Sequence, residues 1–309
     1  MKNTILFGDC RDTLPTIDVK ARMCVTSPPY YGLRNYGGEQ DQIGQEDTPE
    51  QFIENLVDVF RSVRDVLTDD GTLWVNIGDS YYNYRPGKGQ ALVKQTVSKT
   101  ERDQPQTCAR RANKLEGLKE KDLIGIPWML AFALRADGWY LRQDIIWHKP
   151  NPMPESVKDR CTKSHEYLFL LSKNKKYYYD NEAIKEPVKQ DWGTRDRTGG
   201  KYHNPGTGLQ PHSGLSKSYE RKNKRDVWTI TNKPYKGAHF AVFPPDLIEP
   251  CILAGSEQGD IVLDPSMGSG TTGMVAKKNF RSYIGCELHK DYASLQTDRI
   301  DSIPPQLVL

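Results

Sequence analysis

Nowhere in its 309 residues does the chain carry the roughly 20 consecutive apolar residues of a membrane-spanning helix. It also lacks any Cys-x-x-Cys pair and holds only six histidines. Its six cysteines (Cys10, Cys24, Cys108, Cys161, Cys251, Cys286) are scattered, two of them within strand-like runs. That spacing argues against disulfides or zinc and reads as free thiols in a reducing cytoplasm. The opening Met1-Lys2-Asn3-Thr4-Ile5-Leu6 goes straight into a strand pattern, so a secretory signal is not expected. Hydrophobic residues make up only 37% and mean hydropathy is −0.70, yet 6 Trp and 16 Tyr support a core. The length suits one large α/β domain with a smaller appendage and much polar loop.

Net charge is also small, at +3, but it is unevenly placed. Residues 83–121 hold ten Lys/Arg against four Asp/Glu, and residues 185–236 hold twelve against five. The rest of the chain is therefore acidic. Two basic segments on an acidic body suit a polyanion gripped at selected surfaces, the alternative being solvated loops. Isolated aromatics (Trp192, Tyr202, Tyr219, Trp228, Tyr235) interleave with the second segment, as phosphate pairing with base stacking requires.

Elsewhere short apolar runs alternate with helical patterns, which predicts a mostly parallel sheet covered on both faces. Strands are expected at 4–7, 22–26, 72–77, 140–147, 166–172, 260–264 and 282–286. Helices are expected at 49–67, where Phe52, Leu56, Val59, Phe60, Val63 and Leu67 recur at helical spacing, and at 124–137, 244–255 and 271–279. Asp69-Asp70-Gly71 reads as the turn after the first of these helices. Residues 83–121 and 187–237 show little periodicity. Loops of that length in a compact domain are usually functional or disordered.

Two segments carry chemistry. Val25-Thr26-Ser27-Pro28-Pro29-Tyr30-Tyr31 follows a strand. Its two prolines lack N–H donors and fix φ near −65°, so the Ser27 hydroxyl and the nearby carbonyls stay in place beside an aromatic face. Such a loop suits a flat ring bearing an exocyclic amino group. The second segment, Ile261-Val262-Leu263-Asp264-Pro265-Ser266-Met267-Gly268-Ser269-Gly270-Thr271-Thr272, runs from strand through glycine turn to helix. Gly268 and Gly270 permit close backbone approach, and the helix N-terminus aims free N–H groups at a ligand. Glu287 ends the next strand, 23 residues after Asp264, where a carboxylate can accept both hydroxyls of a ribose. Gly273 keeps a loose dinucleotide spacing alive.

Together the segments resemble the β-type amino-methylating DNA methyltransferases that use S-adenosylmethionine, which act on cytosine N4 or adenine N6. The order supports the resemblance: Ser27-Pro28-Pro29-Tyr30 first, a recognition region in the middle, the glycine loop last. So do Gly71-Thr72-Leu73-Trp74-Val75-Asn76-Ile77-Gly78-Asp79, Trp139 to Asn151, and His165 to Lys173. The family implies a Rossmann-like seven-stranded α/β sheet with permuted motif order. Residues 1–186 would form the catalytic part, with a basic insertion at 83–121. Residues 187–237 would be a loop-rich target-recognition region and 238–309 the cofactor-binding part of the same domain.

The resemblance implies cofactor contacts at Asp9 (to the adenine amino group), Cys10, Thr26, Phe243 (against the methionine part), Asp264, Pro265, Ser266, Gly268, Ser269, Gly270, Thr271, Thr272 and Glu287. It implies a catalytic set of Ser27, Pro28, Pro29 and Tyr30, without metal or covalent nucleophile, acting on a flipped-out base. Serine at the head of that set is more often a cytosine-N4 feature, although both targets are intermixed in the family. Lys88, Arg110, Arg111, Arg195, Arg197, Lys222, Lys224 and Arg225 are the expected DNA contacts. The partner is double-stranded DNA, with a cognate restriction endonuclease as a candidate second partner and either a monomer or a homodimer as the assembly. Competing readings are a non-catalytic DNA-binding relative, a nicotinamide oxidoreductase, and methylation of RNA or protein amides. His148 and His165 lack metal spacing, and His148 reads as a structural or DNA contact. Asp79 faces the pocket or caps a turn.

Overall fold

The computed structural model describes residues 1–32, 42–82, 115–188, 220–232 and 243–304. In chain order the elements are β1 (Thr4–Phe7), α1 (Cys10–Thr13), β2 (Ala21–Thr26), α2 (Pro49–Val66), β3 (Leu67–Ile77), α3 (Ile126–Ala136), β4 (Tyr140–His148) and β5 (His165–Ser172). They continue with β6 (Glu186–Pro187), β7 (Arg221–Lys222), β8 (Val227–Thr229), α4 (Pro245–Gly255), β9 (Ile261–Asp264), α5 (Thr271–Lys278), β10 (Ser282–Glu287) and α6 (Ala293–Asp301).

Strand alternation builds the two-faced core. Leu73, Val75 and Ile77 of β3, Phe169 and Leu171 of β5, and Ile261 and Leu263 of β9 point to one face. There they meet Phe52, Leu56, Phe60 and Val63 of α2 and Leu130 and Leu134 of α3. Trp74, Leu168, Leu170 and Val262 point the other way, onto Leu247, Ile248, Cys251 and Ile252 of α4, Val275 of α5 and Ile300 of α6. A period of two on the strands and 3.6 on the helices thus makes one sheet between two helical layers. Helix α2 starts where Thr48 accepts a hydrogen bond from Gln51 N and Pro49 occupies the first turn.

Eight strands form the sheet in the order β1-β10-β9-β2-β3-β5-β4-β8, while β6 and β7 pair separately. From β1 to β3 all neighbours are parallel. β5 is antiparallel to both β3 and β4, and β8 joins β4 in parallel.

All seven expected strands are present, and an eighth, β8, extends the edge from within the basic stretch 187–237. Trp228 in β8 is only 5% exposed and packs into the second core. Its indole N–H is bonded to Arg225 O at 2.6 Å. It is therefore unavailable for base stacking, contrary to expectation. Asp69-Asp70-Gly71 lies inside β3 and not in a turn before it. Pairing jumps there from Ala21–Leu67 to Met23–Thr72, so the extra β3 residues bulge where a turn was expected. Helix α6 had no sequence signal because it buries only Gln296 and Ile300. Among the described residues no helix is long and apolar enough to cross a membrane.

Candidate active site

The chain leaves β9 through α5 to reach β10 on one side, and leaves β2 through α2 to reach β3 on the other. β9 and β2 are neighbours, so their carboxyl ends flank the crevice where the connections diverge. In open α/β sheets that is the ligand-binding position. The same sheet edge carries Asp9 after β1, Glu287 ending β10, Asp264 ending β9 and Thr26 ending β2. The two segments singled out from sequence meet directly here: Thr26 Oγ1 donates to Asp264 Oδ1 at 2.7 Å.

Asp264 is fully buried. Besides Thr26, it accepts from Thr272 Oγ1 at 2.6 Å and from Ser266 N at 3.0 Å. Burial raises its pKa against the pull of these three bonds. Its carboxylate thus ties the first turn of α5 to the end of β2. Beyond it, Gly268 and Gly270 adopt φ of +52° and +80°, the left-handed region that favours glycine. Gly270 N-caps α5 without a side-chain acceptor of its own.

Glu287 is 7% exposed. Gly268 N donates to its Oε2 at 2.8 Å and His289 N to its Oε1 at 3.0 Å. Burial nevertheless pushes its carboxyl up to about 7. Gly273, the dinucleotide-spaced glycine, has a different job: a Cβ there would lie 2.8 Å from Ile300 Cδ1, so it serves helix packing.

Two supports for the loop had no sequence signal. Gln296 of α6 donates through Nε2 to Gly268 O at 2.7 Å, and Arg299 donates to Ser269 Oγ. On the other flank, Gly8 N donates to Glu287 O at 2.9 Å and brings Asp9 alongside. Asp9 caps α1 through Arg11 N at 2.8 Å and also pairs with the Arg11 guanidinium. Burial opposes ionisation of Asp9, but the Arg11 bonds outweigh it and hold the carboxyl below its usual range. Burial pushes the neighbouring Cys10 thiol up to about 12, so it stays protonated. Phe243 lies half-buried against the second core, just ahead of α4.

In the Ser-Pro-Pro-Tyr loop, Pro28 is buried while Ser27, Pro29 and Tyr30 are half-buried. Ser27 Oγ makes no hydrogen bond among the described residues, whereas Tyr30 is pinned at its hydroxyl by Glu166 Oε2 at 2.7 Å and Asn76 Oδ1 at 3.2 Å. Lys149 forms an ion pair with Glu166. Glu166, Asn76 and Lys149 were inside recognised segments, but nothing in the sequence marked them individually.

The remaining candidates separate cleanly. Asp79 Oδ1 accepts from Ser80 N, Gly125 N and Ile126 N at 2.9, 3.0 and 3.1 Å, so it caps α3. His148 sits 3.2 Å from Thr229 Oγ1 on the β4–β8 edge, and His165 packs edge-on to Tyr167. Of the basic residues, Lys222 is exposed on β7, Lys224 lies 4.8 Å from the Trp228 ring centroid, and Arg225 pairs with Glu186 at 3.1 Å. Lys88, Arg110, Arg111, Arg195 and Arg197 fall outside the described residues. Replacing Asp79 by alanine should lower unfolding free energy by about 0.5–2 kcal/mol, the range for losing a helix cap. Denaturant titration measures this, and unchanged stability would refute the capping role.

Comparison with known proteins agrees with this geometry. Residues 21–298 match the N6/N4 methyltransferase family model, described as a DNA methylase. The chain is 48% identical to the type II methyltransferase M.SmaI of Serratia marcescens, over 96% of this chain and 90% of that protein. It is 47% identical to the type II methyltransferase M.Cfr9I of Citrobacter freundii, over 96% and 87%. Its fold is similar to that of the PvuII DNA methyltransferase (cytosine-N4-specific), with a TM-score of 0.62 at 17% identity, covering 99% of this chain and 89% of that one. It is also similar to M1.HpyAVI in complex with S-adenosylmethionine, with a TM-score of 0.53 at 17% identity, covering 96% and 98%. A 278-residue match to the family model, relatives near half identity over almost the whole chain, and the shared sheet give one answer: the chain belongs to the N6/N4 DNA methyltransferases, S-adenosylmethionine-dependent enzymes of the type II, site-specific kind.

Proposed function

We propose that this chain methylates the N4 amino group of cytosine at a specific site in double-stranded DNA, acting on a base drawn out of the duplex. The observation that supports it most is the Thr26–Asp264 hydrogen bond. It sets a loop with acceptors for an exocyclic amine against a glycine turn suited to an adenosyl cofactor. Serine in place of an acidic or amide residue at position 27 favours cytosine over adenine.

The residues present fit the cofactor. Gly268 and Gly270 supply the positive-φ turn, Gly270 with its bare side against Gln296 and Ile300 of α6, and Glu287 keeps unshared lone pairs on both oxygens after its two backbone bonds, enough for two ribose hydroxyls. Asp9 would accept from the adenine amino group with Cys10 beside it. Phe243 would pack on the methionine part, and Pro265, Ser266, Ser269, Thr271 and Thr272 would line the turn. Asp264, sealed from solvent, contributes by joining the two loops. When bound, S-adenosylmethionine supplies an electrophilic sulfonium methyl group.

An exocyclic base amine is a poor nucleophile because its lone pair is delocalised into the ring. Ser27 Oγ and the Pro28 carbonyl can accept its N–H hydrogens, draw the nitrogen toward a tetrahedral shape and aim the lone pair. Catalysis of this kind is positioning with electrostatic complementarity. Tyr30 offers a stacking face, and the paired amine is reached only after the base leaves the helix. Lys222 and other exposed parts of 187–237 would meet DNA and choose the site, with Trp228 kept in the core. A restriction endonuclease with the same target would be its partner in the cell.

Nucleoside mass spectrometry of DNA from a methylation-free host expressing the chain is the direct test. N4-methylcytosine is expected. N6-methyladenine would overturn the choice of base, and neither mark would overturn the reaction. Ser27→Ala should leave cofactor affinity within about twofold while turnover falls between about ten- and a thousandfold, and full turnover would remove Ser27 from the mechanism.

Glu287 adds a pH dependence. Only its ionised form accepts from two hydroxyls without donating, so cofactor affinity should weaken as pH falls through about 7. Without cofactor the sign reverses. A pKa raised from 4.5 to about 7 gives stability present below 4.5 and lost as pH rises through 7. Calorimetric titration from pH 6 to 8 checks the binding arm. A profile equally steep in Glu287→Gln would assign the effect elsewhere.

A further inference from the structure

We propose that Glu166 is a positioning residue that locks the ring of Tyr30 in place for the incoming base, a role that rests on the reaction proposed above. Tyr30 is held at two points. Its ring lies over Gly78, where an added Cβ would sit 2.8 Å from Tyr30 Cε2 and 3.5 Å from Glu166 Cδ. Its hydroxyl donates to Glu166 Oε2 at 2.7 Å. The bare backbone of Gly78, just past the end of β3, therefore opens the slot in which ring and carboxylate meet.

Glu166 is itself immobilised. It is the second residue of β5, opposite Trp147 of β4. Asn76 Nδ2 donates to its Oε2 at 3.3 Å and to Tyr167 O at 3.1 Å. Lys149 pairs with its Oε1, and the Lys149 ammonium lies 4.1 Å from the Trp147 ring centroid. Both members of the pair are only 16% exposed. A carboxylate on β5, fixed by Asn76 of β3 and by Lys149 just past the end of β4, thus fixes the tip of the one aromatic in the Ser-Pro-Pro-Tyr segment that faces it. A ring free to turn about χ1 would lose that orientation each time the base arrived, whereas a pre-set ring does not.

The prolines alone cannot do this, because they restrain the backbone and leave the side chain free to choose its rotamer. Asp79 is spent on capping α3, so it does not compete for the Tyr30 hydroxyl.

The test is a double-mutant cycle with Tyr30→Phe and Glu166→Ala, supplemented by Glu166→Gln. kcat and KM for DNA, cofactor affinity and unfolding midpoint are read for each protein. Tyr30→Phe keeps the stacking face and removes only the hydroxyl. Each single change should lower kcat about ten- to a hundredfold, the scale of a small misplacement of a reacting group. Cofactor affinity should stay within about twofold. The double variant should be no slower than the slower single one, since both changes break the same bond. Glu166→Gln, which keeps an acceptor for the hydroxyl, should recover most of the turnover lost in Glu166→Ala. Multiplicative losses in the double variant would overturn the proposal, as would wild-type kcat in Tyr30→Phe. If Glu166→Ala fails to fold, the same cycle run with Glu166→Met, which fills the space but offers the hydroxyl no oxygen acceptor, decides by kcat and unfolding midpoint: coupled effects support the clamp and independent ones overturn it. Methyl transfer by the wild type reports separately on the underlying reaction.

Discussion

A hydroxyl and a carboxylate 238 residues apart, on Thr26 and Asp264, make the bond around which the rest of the molecule is arranged. The bond is possible only because β9 and β2 are adjacent and parallel while their connections depart in opposite directions. A buried carboxylate in this position must be fully partnered, since an unpaired charge away from water is expensive. Thr26, Thr272 and Ser266 N provide those partners. Satisfying Asp264 thus fixes, in one step, the end of β9, the start of α5 and the entrance of the Ser-Pro-Pro-Tyr loop.

The two carboxylates that end neighbouring strands have been given different environments. Asp264 is sealed and fully engaged. Glu287, also buried, accepts from two backbone donors with lone pairs to spare, and burial raises its pKa to about 7. A group in that state meets ligand hydroxyls at little further desolvation cost, because the protein fold already bears that cost. The same division holds across the crevice. Thr26 and Tyr30 are tied down, while Ser27 between them makes no bond among the described residues. Rigid neighbours around an unengaged polar group are what preorganised catalysis requires.

Much of this was legible in the chain because its signals are local. Seven strands and the long helices follow from apolar periodicity, and the two prolines and the paired glycines announce special backbone wherever they stand. What escaped notice has a physical cause in each case. Helix α6 buries a glutamine and an isoleucine and so has no apolar stripe, yet Gln296 and Arg299 hold the glycine loop from behind. Trp228 looked like a stacking residue among basic neighbours, and β8 pairing onto β4 makes it core. The Asp69-Asp70-Gly71 turn became a bulge because β3 begins earlier, opposite Ala21.

By itself the sequence determined the sheet, its two helical layers and the family, because periodicity and rigid dipeptides act over a few residues. Only the tertiary structure decided which side chains do which work. Asp9, Thr26, Asp264 and Glu287 share one sheet edge through strand order, and strand order is set by packing between distant segments. Gly78 just past β3 and Glu166 on β5 converge on Tyr30, and Lys149 just past β4 holds Glu166, where sequence separation carries no information. Hydrogen bonds reach about 3 Å in space and have no preferred distance along the chain, so the partners of the Ser-Pro-Pro-Tyr loop appear only once the sheet is assembled.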